Sequence, residues 1–269
     1  MNREGPKGKY KAPAVEKAFE ILSLLADQPE GMTISEMATK LNRTFGELFR
    51  IVIVMERHRY IQKSSLNDRY SVAYKLLDVA LRGTPAQNLL HAALPEMQVL
   101  TREIEQSCHL VVANEGRGLI MAREENPATR GFGLKLGASI DLVNSCSGHV
   151  ILAFSTKEKA DKLIVEALVG REAGFDHENL QNRLNLVRER GYDMRSSPVA
   201  FGVTDICYPL FGFDGGLLAA LTIPFLELID GSQLVGREAA RSRLAEASRR
   251  ISAILGFQGA VGAPGKANT

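Results

Sequence analysis

The densest group of chemically competent side chains in the sequence is Asn144-Ser-Cys-Ser-Gly-His149. An apolar run follows at once, so Ser145 or Cys146 is expected to open a helix that runs to about Ser155. The free amides of such an end, with hydroxyls beside them, favour an anion, and a carboxylate suits them. Gly148 would allow a ligand close to the backbone. Asp205, near the start of a later strand, can accept from a hydroxyl or ammonium group on the same ligand. The same residues permit two other uses. Ser145, Cys146 and Ser147 are nucleophile types with His149 near in sequence, although no Gly-x-Ser-x-Gly elbow is present. Cys146 and His149, three apart, could ligate zinc with Cys207 or Asp205. The plainest alternative is a serine cap and core cysteines.

A second group lies between residues 33 and 69. Thr33-Ile-Ser-Glu36 and Thr44-Phe-Gly-Glu47 are both capping boxes, in which hydroxyl and carboxylate satisfy each other's free amides. Each opens an apolar stripe: Ile34, Met37, Ala38 and Leu41, then Leu48, Ile51, Val52 and Met55. Two capped helices joined by so short a connection read as a helix-turn-helix. An earlier helix starts at Pro13 with the stripe Val15, Ala18, Phe19, Leu22 and Leu25. Residues 60–63 and 69–72 read as two short strands around the turn-rich 64–68, which makes the unit winged. The second capped helix would enter the major groove of DNA with its N-terminal residues on base edges. The expected DNA-contacting set is Thr33, Arg43, Thr44, Phe45, Gly46, Glu47, Phe49, Arg50, Lys63 and Arg69, with Lys63 and Arg69 of the wing on phosphates. Glu47 is repelled by a phosphate backbone, so it is expected either to accept from a cytosine amino group or to orient Arg50. A helical domain for protein contact is the alternative.

Charge supports this division. Residues 1–83 carry 14 Lys/Arg and 10 Asp/Glu, whereas the remainder carries 19 and 21. A basic head on a near-neutral body suits nucleic acid. The connector 75–82 reads as a short helix. Leu90, Ala93, Met97, Leu100 and Ile104 then form the seam of a coiled coil, kinked or restarted at Pro95, which suggests dimerisation or packing on the helix's own domain. In the body, 109–113 and 119–122 read as strands and Thr156 and Asp176 as caps of two helices. Residues 206–211 and 217–224 read as a hairpin around Gly212-Phe-Asp-Gly215, and a last helix carries Leu244, Ala247, Ile251 and Ile254. The class is α+β with one mixed or antiparallel sheet. The 269 residues, 45% hydrophobic and 24% charged, suit about two globular domains. The longest apolar runs fall far short of the roughly 18 residues a membrane span needs. The polar, basic N-terminus is unlike a secretory signal. Three widely spaced cysteines make a disulfide scaffold an improbable design, and a reducing cytoplasm is expected.

The order of these pieces resembles the isocitrate-lyase-regulator (IclR) family of bacterial transcription factors. The resemblance runs from about Ala14 to Phe257. It is carried by Val15-Glu-Lys-Ala-Phe-Glu-Ile-Leu22, Gly31-Met-Thr-Ile-Ser-Glu-Met-Ala38, Met55-Glu-Arg-His-Arg-Tyr-Ile61 and Arg69-Tyr-Ser-Val72. In the body it is carried by Ser147-Gly-His-Val-Ile-Leu-Ala-Phe154, Arg188-Glu-Arg-Gly-Tyr192, Gly202-Val-Thr-Asp-Ile-Cys-Tyr-Pro209 and Ile251-Ser-Ala-Ile-Leu-Gly-Phe257. It implies a winged helix-turn-helix, a linker helix and a GAF/profilin-like effector-binding domain, in dimers or tetramers that respond to small metabolites. The pocket it implies takes in Leu142, Asn144, Ser145, Cys146, Ser147, Gly148, Asp205 and Cys207. The sequence departs from the family's pattern in three places. Thr44-Phe-Gly-Glu47 replaces a Pro-Lys-Ser-Thr-type start of the recognition helix, while Arg50 is kept. Val143-Asn-Ser-Cys146 replaces a His-Ala-Thr-Ala segment. Asp205 stands where a cysteine is usual, with Cys207 two residues later.

The expected organisation is a basic arm (1–12), a winged helix-turn-helix (13–74), a linker helix (75–95), an effector domain (96–257) and a tail (258–269). The expected protein is a cytoplasmic homo-oligomeric regulator, in the favoured reading a repressor. Its partners are a double-stranded operator and a small carboxylate effector, with no cofactor, metal, membrane or catalysis. A zinc- or cysteine-dependent enzyme, or a protein-interaction module, is the alternative.

Overall fold

The computed structural model describes residues 11–83, 86–128, 130–171 and 173–259. Residues 1–10 of the expected arm and 260–269 of the expected tail lie outside these. The chain divides into two compact units, one ending at Gln87 and the other beginning at Asn88.

The first unit holds α1 (Pro13–Ala26), α2 (Ile34–Lys40), α3 (Phe45–Arg57), β1 (Ile61–Lys63), β2 (Tyr70–Val72) and α4 (Tyr74–Gly83). Both capping boxes form, on Thr33 and on Thr44. Asn42 takes the left-handed conformation, φ 51°, that turns the chain between α2 and α3. β1 and β2 pair antiparallel, and Met32 bridges to Tyr70 as a further rung. Ile21, Leu25, Met37, Leu48, Val52 and Ile61 make the core. The stripe expected on α1 is corrected here. Val15 and Phe19 are exposed, and Ile21, outside that stripe, is fully buried. The helix is turned so that Ala18, Ile21, Leu22 and Leu25 pack inward. Removing the cap of α3 with Thr44→Ala should cost about 1 kcal/mol of head stability. A thermal melt of the variant checks this, and an unchanged midpoint would count against the cap.

The second unit is built on a six-stranded sheet of order β5-β4-β3-β8-β7-β6. Its strands are β3 (Cys108–Asn114), β4 (Arg117–Glu124), β5 (Ser139–Asp141), β6 (Asp193–Ser196), β7 (Val203–Phe211) and β8 (Leu217–Leu226). Every pairing is antiparallel. α5 (Ala86–Ile104) and α9 (Arg237–Ile254) pack on one face through Met97, Leu100, Leu244 and Ile251. α6 (Cys146–Phe154), α7 (Lys157–Leu168) and α8 (His177–Arg190) cover the other through Val150, Leu163 and Leu184. The period of 2 along β7 sends Ile206, Tyr208 and Leu210 to the first face, and Cys207 to the face under α6.

The seam of α5 is occupied by this sheet. Ala93, Met97, Leu100 and Ile104 are buried in the unit's own core, so it is not a free coiled-coil face. Pro95 neither ends nor restarts the helix. Its ring lies on the exposed side, where water can satisfy the carbonyl left without a donor.

Candidate DNA interface and effector site

Of the ten residues expected at DNA, the structure gives several an intramolecular task. The Glu47 carboxylate accepts from the Thr44 amide at 3.0 Å and from Lys17 Nζ at 2.8 Å. The Lys17 hydrogen bond, then the Thr44 amide and hydroxyl, hold the Glu47 carboxyl down at about 2. In the DNA-free protein Glu47 thus links α1 to the start of α3. Arg43 pairs with Glu20 at 3.3 Å and Lys63 with Asp68 at 2.7 Å. Arg69 donates to Gly31 O at 2.8 Å and to Glu36 at 2.9 Å, tying the wing to α2. Thr33 is occupied by its own cap. The solvent face of α3 holds Phe45, Gly46, Phe49, Arg50, Ile53 and Arg57. Arg50 and Arg57 have no ion-pair partner among the described residues. Of the cations on α3, Arg50 is therefore the one nearest the helix start that is open to a base edge or phosphate.

The effector side begins at α6. Ser145 caps it, its Oγ accepting from the Gly148 amide at 3.0 Å. The Cys146 thiol donates to Asp205 O at 3.4 Å, which brings the helix start against β7 as expected. Burial, then the neighbouring Cys207, push this thiol well above its usual range. It is neither a ready nucleophile nor a ready metal ligand. Cys207 accepts from the Thr222 hydroxyl at 3.1 Å. The glycine at 148 is required by the chain's own packing. A Cβ there would lie 2.1 Å from Leu142 O, so the close approach is to the chain's own backbone. Leu142, Ser145, Cys146, Ser147, Gly148 and Cys207 are all buried, and only Asn144 of this stretch is exposed.

A cleft of about 540 Å³ opens beside them, lined by Asn144, His149, Asn179, Arg183, Arg195 and Ser196 among others. At its floor His149 and Asp193 are buried, their side chains 4% and 2% exposed. The His149 ring reaches Val143 O with Nε2 at 3.0 Å and Asp193 with Nδ1 at 3.2 Å. The other Asp193 oxygen accepts from Arg183. Burial pushes the Asp193 carboxyl up, but the His149 hydrogen bond and the Arg183 charge outweigh it and hold it below its ordinary value. With both ring nitrogens taken, His149 cannot join Cys146 on a zinc ion. Among the described residues no group of three His, Cys, Asp or Glu side chains is placed to hold a metal. Arg195 stands 3.4 Å from His149 Nδ1 and makes no ion pair among the described residues. Across the β6–β7 ladder it faces Asp205, whose carboxyl burial raises to about 6 in spite of Ser197 and Arg195.

The model of the IclR helix-turn-helix domain matches residues 14–65, and that of the bacterial transcriptional regulator IclR C-terminal domain matches residues 83–253. The chain belongs to the IclR family of bacterial transcriptional regulators. It is similar to the regulator KdgR of Escherichia coli, 24% identical over 91% of this chain and 93% of the relative. The fold is that of an IclR homologue from Microbacterium hydrocarbonoxydans in complex with 4-hydroxybenzoate, with a TM-score of 0.75 and 20% identity. That match covers 90% of this chain and 98% of the other. Pseudomonas aeruginosa HmgR has the same fold, with a TM-score of 0.73 and 21% identity over 91% of this chain and 100% of the other. The α+β architecture and the function as a DNA-binding regulator with an effector-binding C-terminal domain follow. No helix among the described residues is long and apolar enough to cross a membrane.

For an IclR-family protein, the sequence reading missed the charged floor of the cleft. Asp193, Arg183 and Arg195 carried no motif. The one available signal was Asp193 between aromatic and apolar neighbours, a polar residue where a strand core was due.

Proposed function

We propose that this IclR-family regulator is a cytoplasmic homo-oligomer, dimer or tetramer, that represses from a pseudo-palindromic operator and answers to a small carboxylate bound in the cleft. The observation that carries the effector class is Arg195, a guanidinium lining the cleft that makes no ion pair among the described residues and has Asp205 opposite it on β7. Arg183 is paired with Asp193, and Asp176 also lines the cleft, so Arg195 is the cation there left to meet a ligand carboxylate. A bidentate guanidinium–carboxylate pair in a partly dry cleft is among the stronger polar contacts available. Asn144 and Asn179 can orient the rest of such a ligand. Asp205 is proposed to take a ligand hydroxyl, and the buried residues Leu142, Ser145, Cys146, Ser147, Gly148 and Cys207 to shape the wall behind it. Catalysis is not proposed, because the Cys146 thiol is held protonated and His149 is fully engaged.

At the operator, α3 is proposed to supply Arg50 to a base edge, with Thr33, Arg43, Thr44, Lys63 and Arg69 near phosphates. Effector and operator must then be coupled reciprocally. Footprinting with and without a panel of small carboxylates, at two salt concentrations, tests this. Arg50→Ala should lose about 10- to 100-fold in specific affinity, the range expected of one base-reading arginine. It should leave effector binding intact. Unchanged specific affinity would displace Arg50 from the interface. Carboxylates that bind Arg195→Ala as well as the parent would remove the effector reading.

A further inference from the structure

The solvent face of α3 carries two phenylalanines that the fold does not use. Phe45 and Phe49 are 51% and 44% exposed, with their rings stacked at 5.7 Å and 23° between planes. The core side of this helix is complete without them, filled by Leu48, Val52 and Met55. Positions 45, 49 and 53 fall on one line along the helix, and exposed Ile53 continues it. Beside that line lie Gly46 and the unpaired Arg50. A Cβ on Gly46 would meet nothing within 4 Å, so no contact inside the head requires glycine there. Glycine also gives the first turn of the helix more backbone freedom to lose than alanine would, with no internal return. A close approach from outside gives it a use.

We propose that Phe45 and Phe49 read thymine 5-methyl groups in the major groove, flanking the base contact of Arg50. This rests on the reading of α3 as the recognition helix. The major groove presents one large apolar feature, the thymine methyl, and an exposed phenylalanine is suited to meet it. Arg50 and Arg57 on the same face match a polyanion better than an apolar protein partner. The rings are already stacked in the free protein, so little side-chain freedom is lost on contact. Neither ring makes a polar demand on the groove, so the pair selects for methyls without penalising the phosphates alongside. The operator half-site should therefore carry thymines next to the base that Arg50 reads.

The test begins by selecting duplexes from a random-sequence pool with the full chain. Each thymine of the selected half-site is then replaced by deoxyuridine, which removes only the methyl. One or two positions should lose about fourfold in affinity each, the equivalent of about 0.8 kcal/mol for one buried carbon. The Phe45→Ala/Phe49→Ala double variant should bind thymine and uracil duplexes equally. It should also keep its salt-sensitive binding to random DNA, since both rings lie outside the core. Uracil as good as thymine at every position, or a uracil loss that persists in the double variant, overturns the inference and leaves the DNA interface standing. A selection that enriches no thymine overturns it too. Absence of DNA binding at any salt would sink the recognition-helix reading and this inference with it. A double variant that changes the association state of the free protein would assign the rings to contact between copies and overturn the inference.

Discussion

Replacing Asp193 with Asn should destabilise the C-terminal unit by about 3–5 kcal/mol at neutral pH, the range for breaking one partner out of a buried ion pair. The side chain is 2% exposed and holds both His149 and Arg183. Asn preserves the shape but removes the charge, leaving a guanidinium and an imidazole facing each other in a dry floor. A urea titration should show a lower midpoint with the slope unchanged. Adding Arg183→Gln to Asp193→Asn should recover part of the loss, because the unpaired cation is then gone. A variant as stable as the parent would mean that the network contributes no net stability.

The pH dependence has a definite sign. The folded Asp193 carboxyl lies below its ordinary value of 3.8. As acid is added, the unfolded chain therefore takes up this proton first. The stabilisation is fully present above 3.8 and is lost as pH falls through the depressed folded value. Asp193→Asn should flatten that acid limb.

What could be read from the sequence was what is decided within a few residues. The Thr33 and Thr44 boxes and the Ser145, Thr156 and Asp176 caps are local devices, and the structure has each one. β5 and β6 were not anticipated because they are three and four residues long and carry no alternating apolar face. The seam of α5 was the right pattern with an undecided partner. Ala93, Met97, Leu100 and Ile104 have the same spacing whether they meet a second helix or a sheet. The cleft was the hardest part. His149 and Asp193 are 44 residues apart, and no spacing rule brings α6 to β6. Gly148 was read as room for a ligand because glycine permits any close neighbour, and only the fold shows that the neighbour is Leu142.

Asp205→Asn should act in the opposite direction to Asp193→Asn, by stabilising the protein. Burial raises the Asp205 carboxyl from 3.8 to about 6, and the nearby Ser197 hydroxyl and the charge of Arg195 only partly offset this. Between those two values the folded state holds more protons than the unfolded one, so stability falls as pH rises through the window. The loss is complete above about 6 and amounts to about 2–3 kcal/mol. Asn has no charge to desolvate, so the variant should gain about that much at pH 7 and lose the part of the fall between pH 4 and 6 that Asp205 contributes. A carboxyl held at such a cost on the strand facing Arg195 fits the ligand-binding role proposed for Asp205. The same variant should therefore lose effector affinity while its operator affinity without effector stays unchanged. Calorimetric titration with the active carboxylate and a melt at two pH values decide both halves. A variant no more stable at pH 7 would refute the desolvation argument, and unchanged effector binding would remove Asp205 from the site.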